Sequence, residues 1–243
     1  MKRYLFLDVE TTGFLNFKIP SDQQEHRVCQ ISGILCDDDL EILEDVTSYI
    51  QPDGWGMDDM PLPAFEVHGL TFEKLRREGR PIADVLADLQ ELENQASTRI
   101  AWNKRFDLKF LRGERRRIGM DDGYGTTKEF DPMWAAKPLV SAKAKNGKTK
   151  LPSLVEAYHF FTGSKLVGAH DAYVDNDGTR VCVRAMRDQY KIDIDGEMPK
   201  MFEEGETQAP LPPGARTGKP SNAKPATTKP ADEPTDFDNL KVF

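Results

Sequence analysis

The stretch Tyr4-Leu5-Phe6-Leu7-Asp8-Val9-Glu10-Thr11-Thr12-Gly13 decides how the rest of this chain is read. Tyr4 to Leu7 is an apolar, β-prone run and reads as a buried strand ending at Asp8. Residues i and i+2 of a strand share a face, so Asp8 and Glu10 project together. Two carboxylates held that close repel unless a cation offsets them, and hard oxygen donors of this kind suit magnesium or manganese. Thr11, Thr12 and Gly13 then break the strand into a loop with room for a ligand. A strand end capped by two solvated acids has the same sequence pattern, and D-x-E alone does not separate the two.

Outward from this strand, Phe14 to Glu25 is a polar loop containing Pro20. Val28 to Cys36 is a second apolar run, Asp37-Asp38-Asp39 a turn, and Glu41 to Ile50 a third strand rich in Ile, Val, Thr and Tyr. The short turn predicts an antiparallel hairpin. Helical spacing of Ile82, Val85, Leu86 and Leu89 predicts a helix from Pro81 to Glu93, with Pro81 suited to its first turn. Thr98 to Ala101 reads as a fourth strand, Lys104 to Ile118 as a helix, and Glu129 to Pro132 as a minimal fifth strand. Helices over Leu151–Phe161 and Ala172–Tyr190 follow. Three strands and then alternating strand and helix predict an α/β fold with a mixed sheet flanked by helices.

The chain has 243 residues and a formal net charge of -8. That balance argues against coating duplex nucleic acid by bulk charge, although local basic clusters can still engage it. Three cysteines, Cys29, Cys36 and Cys182, match neither a metal clip nor a disulfide framework and fit a reducing, cytoplasmic setting. Lys2 and Arg3 before the first strand imitate a signal peptide, but Asp8 and Glu10 end the apolar run too early. No run is long enough to span a membrane. Half of the sixteen prolines lie from Pro199 onward. The expectation is therefore a domain over 1–196 and, over 197–243, a disordered Pro-rich linker ending in a docking peptide.

More acids follow at meaningful positions. Asn103 and Asp107, four residues apart, share one helical face, with Phe106 and Phe110 forming the neighbouring apolar stripe. A capping Asn and a solvated Asp would give the same pattern. In Gly168-Ala169-His170-Asp171-Ala172-Tyr173-Val174-Asp175, Asp171 suits the N-cap of the last helix, Asp175 falls in its first turns, and His170 sits on the preceding loop. An imidazole there can accept a proton near neutral pH, or be merely structural. Lys104, Arg105, Lys109, Arg112, Arg115, Arg116 and Arg117 read as a solvated face of their helix. Lys143, Lys145, Lys148 and Lys150 make a basic loop suited either to phosphate contact or to plain solvation.

Together these motifs resemble the DEDDh, or DnaQ-like, 3′–5′ exonuclease family of the ribonuclease H-like superfamily. Its D-x-E followed by a T-G turn is matched by Asp8, Glu10, Thr12 and Gly13. Its N-x-x-x-D with a preceding Phe is matched by Asn103, Phe106 and Asp107, and its H-x-A-x-x-D by His170, Ala172 and Asp175. The segment Val67-His68-Gly69-Leu70-Thr71 also resembles the family between its first two motifs. The matches run in the family's order over roughly residues 4 to 190. Trp102 departs from it, standing where many members carry a His.

The resemblance implies a ribonuclease H-like fold with a mixed five-stranded sheet and the site at its edge. It implies two divalent metals, Mg2+ or Mn2+, held by Asp8, Glu10, Asp107 and Asp175, with His170 as general base in hydrolysis of the last phosphodiester. Substrate contacts would come from Thr11, Thr12, Phe14, Leu15, His68 and Asn103. The implied substrate is a single-stranded 3′ end, DNA foremost, in replication proofreading or repair. The alternatives are RNA trimming of the ribonuclease T or oligoribonuclease type, and an accessory that uses the nuclease fold as a scaffold for a polymerase or clamp. The terminal Asn239-Leu240-Lys241-Val242-Phe243 resembles peptides that dock on bacterial sliding clamps, with Leu240 and Phe243 as anchors. Asp236-Phe237-Asp238 with Phe243 resembles the acidic tip of single-strand-binding proteins.

Overall fold

The N-terminal apolar run becomes the central strand of a five-stranded sheet, because each of its faces has a separate core to fill. The computed structural model describes residues 1–56, 62–123, 125 and 127–195. Strand β1 spans Tyr4–Thr11, and all eight of its residues are buried. Leu5, Leu7 and Val9 point into one core with Val85, Leu86, Leu89, Phe106 and Phe110. Tyr4 and Phe6 point into the other, with Phe130, Met133, Cys182, Val183 and Met186. Alternation along one strand thus separates two helical layers.

Strands β2 (Val28–Cys36), β3 (Ile42–Tyr49), β4 (Thr98–Ile100) and β5 (Lys128–Phe130) complete the sheet, in the order β3-β2-β1-β4-β5. The β1–β2 and β2–β3 pairs are antiparallel, so the expected hairpin forms; β1–β4 and β4–β5 are parallel. This is the mixed, ribonuclease H-like sheet that the sequence led us to expect. The helices in chain order are α1 (Leu62–His68), α2 (Phe72–Glu78), α3 (Ile82–Gln95), α4 (Lys104–Arg117), α5 (Pro132–Val140), α6 (Leu154–Thr162) and α7 (Ala172–Tyr190). A short 3-10 turn occupies Ser21–Gln23.

Helices α1, α2 and α5 were not legible in the sequence. Helix α5 begins at Pro132 and carries Pro138 inside it, two residues that argue against a helix interior. Its start is fixed instead by the side chain of Asp131, which accepts the Met133 N–H and leaves Pro132 at the position that needs no donor. The expected strand through Pro132 therefore stops at Phe130.

The basic face of α4 also differs from expectation. Arg115 is 1% exposed and pairs with Glu93 of α3 at 2.6 Å. Arg117 pairs with Glu114, and Arg112 and Arg116 with Asp122. Lys104 pairs with Glu129. These cations join α4 to its surroundings because acids of α3, β5 and the 121–123 loop lie under them. The expected tail, including Leu240 and Phe243, lies outside the described residues.

Candidate active site

The site is built at the C-terminal end of β1, the middle strand of the sheet, rather than at a lateral edge. Asp8 and Glu10 emerge on one face there, each under 5% exposed. They face α7, since Phe6 on the same side of the strand packs in that core. The β1–β2 register places Asp8 opposite Ser32 and Glu10 opposite Gln30, with an irregularity immediately after Glu10. That break ends the pairing and begins the Thr11–Gly13 turn. Thr11 Oγ1 donates to the Gly13 carbonyl at 2.7 Å, the Thr12 N–H donates to the Arg27 carbonyl, and Thr12 Oγ1 accepts the Arg27 N–H at 3.0 Å. The imidazole of His26 packs against Gly13 where a Cβ would otherwise stand.

Two helix N-termini are directed at this strand end. Asp107 lies in the first turn of α4 and is 2% exposed. Its Oδ1 accepts the N–H of Val9 at 3.1 Å, so the helix acid is tied to the backbone between Asp8 and Glu10. Asp175 lies in the first turn of α7 and is also buried. Positive helix ends and their N–H groups favour carboxylates placed there. Oxygens of Glu10 and Asp175 and a ring nitrogen of His170 all lie within 4.8 Å of one another. Asp8 and Asp107 stand outside that tight group but beside it, one on the same strand face as Glu10 and one bonded to Val9.

The loop before α7 is shaped by its caps. Asp171 is the N-cap, and its Oδ1 accepts the N–H groups of Tyr173 and Val174. His170 adopts a left-handed conformation, φ 72°, and its N–H donates to Asp175 Oδ2 at 3.2 Å. Next to Asp175, Asn176 is fully buried, and its Nδ2 donates to the carbonyls of Phe6 and Ser32 and to Ser32 Oγ. This amide pins α7 against β1 and β2. Gln30 reaches the same helix start through Asp171 and Ala172.

Asn103 occupies the N-cap position of α4 in a left-handed conformation, φ 62°. The capping acceptor is Asp131, at the end of β5. Its Oδ1 takes the N–H of Asn103 and its Oδ2 that of Lys104, both at 3.2 Å. Burial pushes the Asp131 carboxyl up to about 6, although the bonds from Asn103, Met133 and Lys104 oppose the shift. Trp102, the departure from the family pattern, donates its indole N–H to the Pro152 carbonyl at 3.2 Å and fills core space.

The remaining expected contacts are more scattered. Phe14 is half-exposed, while Leu15 packs on the α3/α4 core. His68 ends α1, where its Nδ1 accepts the Leu70 N–H at 3.0 Å and its Nε2 meets Cys29 Sγ at 4.0 Å. Lys143, Lys145 and Lys148 are exposed on a hairpin closed by the Lys143–Thr149 bridge, and Lys150 pairs with Glu156. Sequence reasoning missed Gln30, Asn176 and Asp131. The first leaves a signal, a polar amide inside the apolar run Val28-Cys29-Gln30-Ile31, and the last another, an Asp immediately before a Pro.

The described residues contain no helix long and apolar enough to cross a membrane. The fold is similar to E. coli exonuclease I in complex with a dT13 oligonucleotide, at 20% identity and a TM-score of 0.64, over 79% of this chain and 42% of that one. It is similar to the zinc ion-bound form of the E. coli exonuclease I–ssDNA complex, at 21% identity and a TM-score of 0.61, over 79% and 42%. It is also similar to SSB/exonuclease I in complex with the inhibitor CFAM, at 19% identity and a TM-score of 0.60, over 76% and 41%. The chain thus spans less than half the length of these exonuclease I chains. No curated protein matches it. Residues 5–179, well over half of the chain, match the family model described as Exonuclease, and that stretch holds all four acids and His170. With the mixed sheet and the strand-end acids, this match shows that the chain belongs to the DEDDh, DnaQ-like 3′–5′ exonuclease family.

Proposed function

We propose that this chain is a metal-dependent hydrolase that removes nucleoside 5′-monophosphates from single-stranded 3′ ends, chiefly of DNA, in replication proofreading or repair. The observation that carries the reading is the approach of Glu10, His170 and Asp175 within 4.8 Å at the end of the strand that also bears Asp8. The donor set fits hard divalent cations: Asp8, Glu10, Asp107 and Asp175 are buried carboxylates gathered in one place, and such a group repels itself without a counter-charge. These four would hold two ions, magnesium or manganese. When bound, the ions would polarise the attacking water and offset charge on the phosphate.

The remaining steps belong to the chain's own groups. His170 accepts a proton from the attacking water at its imidazole nitrogen and later returns it to solvent. The water oxygen bonds to the phosphorus of the terminal nucleotide as the bond to the preceding 3′ oxygen breaks, and that oxygen takes a proton from solvent to become the 3′-hydroxyl of the shortened strand. The Thr11–Gly13 turn leaves the strand end open to the nucleotide, and exposed Phe14 offers a ring for base stacking. Leu15, His68 and Asn103 would add further nucleotide contacts, and the lysine hairpin would offer phosphate contact. The preference for DNA is supported by the likeness to exonuclease I bound to single-stranded DNA. Residues 1–196 would form the nuclease domain, and 197–243 a linker with a peptide for a sliding clamp or a single-strand-binding protein.

The test is degradation of labelled single-stranded DNA and RNA of one sequence, with magnesium or EDTA, over a salt series. The expected result is stepwise loss of 5′-monophosphates from DNA, abolished by EDTA and weakened by salt. Degradation of RNA alone would move the reading to RNA trimming. No degradation of either would leave the nuclease fold as a scaffold.

A further inference from the structure

Gln30 is the third residue of β2, at 2% exposure and directly across from Glu10. A buried amide is costly unless both its ends find partners. Its Nε2 donates to Asp171 Oδ2 at 2.9 Å, and its Oε1 accepts the Ala172 N–H at 3.3 Å. The orientation is dictated by the partners, since a carboxylate only accepts and a backbone N–H only donates. One side chain therefore grips the two residues that follow His170. His170 itself holds a left-handed conformation that L-residues seldom adopt, with its N–H on Asp175. Such a conformation persists only where neighbouring bonds fix it.

We propose that Gln30 is a positioning residue for the reaction: it fixes the junction between the loop and α7 and so holds the His170 imidazole beside Glu10 and Asp175. Gln30 touches neither substrate nor water in this role. The proposal rests on His170 being the general base.

The test exchanges the polarity of the clamp. Gln30→Glu keeps the side-chain length and the bond to the Ala172 N–H but faces Asp171 with a second carboxylate. It should lower kcat by about 10- to 100-fold at saturating metal, the scale of a misplaced reacting group, with KM changed far less. Gln30→Met removes both bonds without adding charge and should lower kcat similarly. Adding Asp171→Asn to Gln30→Glu reverses donor and acceptor at constant net charge, since the new amide can donate across while its oxygen still caps Tyr173 and Val174. That pair should regain most of the lost kcat. In a His170→Ala background, which alone should lose about 10²- to 10⁴-fold, Gln30→Met should cost nothing more, because its effect passes through the missing imidazole.

A second readout is the imidazole nitrogen spectrum of the four histidines. Gln30→Met should broaden or shift the His170 signals and leave those of His26, His68 and His159 in place. If His170→Ala keeps its activity, the general-base reading fails. The clamp fails separately if His170→Ala is impaired while Gln30→Met keeps wild-type kcat, if the exchange restores nothing in a folded protein, or if the two losses multiply.

Discussion

At the scale of single residues, the site depends on acids held where bulk solvent cannot relieve their charge. Asp107 shows how backbone and chemistry would be joined, since the oxygen that fixes it on Val9 belongs to a carboxylate whose charge the proposed mechanism uses. Asp107→Asn keeps an oxygen for the Val9 N–H and removes the charge. We expect hydrolysis to fall by at least about 10²-fold, the usual cost of deleting a strong electrostatic contact to the reacting centre. Metal-free thermal stability should be unchanged or higher, because one member of a repelling group is gone. A variant with normal turnover would remove Asp107 from the chemistry. Asp131 is a different kind of acid. Burial raises its carboxyl from 3.8 to about 6 in the folded chain. Between those values the folded protein holds a proton that the unfolded chain has released, so stability falls as pH rises through that window and levels off above it. Denaturant midpoints of wild type and Asp131→Asn should therefore diverge below about pH 6, with wild type gaining on the variant as pH falls towards 4. A constant difference across that range would show that Asp131 titrates normally.

At the scale of elements, β1 supplies two acids, α4 one and α7 one, with His170 on the loop before α7, so the site is only as well defined as the packing of two helix ends on one strand. Helix α4 is held by its arginine pairs and by a close approach to the 3-10 turn. A Cβ on Gly113 would stand 2.3 Å from the Ser21 carbonyl oxygen, a backbone atom with little freedom to retreat. Alanine is the better helix former by roughly 0.5–1 kcal/mol, but overpacking against backbone costs about 1–3 kcal/mol. Gly113→Ala should thus be destabilising on balance, with a lower urea midpoint, and should disturb Asp107 through the helix that carries it. A raised midpoint would show that the contact yields at little cost.

At the scale of the whole molecule, the family match ends at residue 179 and the described structure at 195, while the chain continues to Phe243. If residues 236–243 dock on a clamp or a single-strand-binding protein, their effect is to raise the local concentration of the nuclease at a 3′ end. Deleting them should leave hydrolysis of a short oligonucleotide unchanged and reduce hydrolysis of a primer end loaded with the clamp or coated with the binding protein. Equal rates for wild type and the deletion on all three substrates would show the peptide to be inert.

The sequence by itself determined the sheet and the identity of the chemical groups. Continuous apolar runs, helical apolar spacing, a three-Asp turn and acids placed at a strand end and at helix starts are local patterns, and local patterns survive in a linear reading. They gave the hairpin, β4, α3, α4, α6 and α7 within a few residues, and they singled out Asp8, Glu10, Asp107, His170 and Asp175. Only the tertiary structure decided what depends on partners far apart in the chain. The arginines of α4 read as a solvated face until Glu93, more than twenty positions earlier, is found against Arg115. Asn103 reads as a cap until Asp131 takes that work from β5. Gln30 reads as one polar residue in an apolar strand until Asp171 and Ala172 meet it across the sheet, 141 and 142 positions along. A buried polar or charged group announces that it needs a partner, but which partner it finds is fixed only when the chain closes on itself.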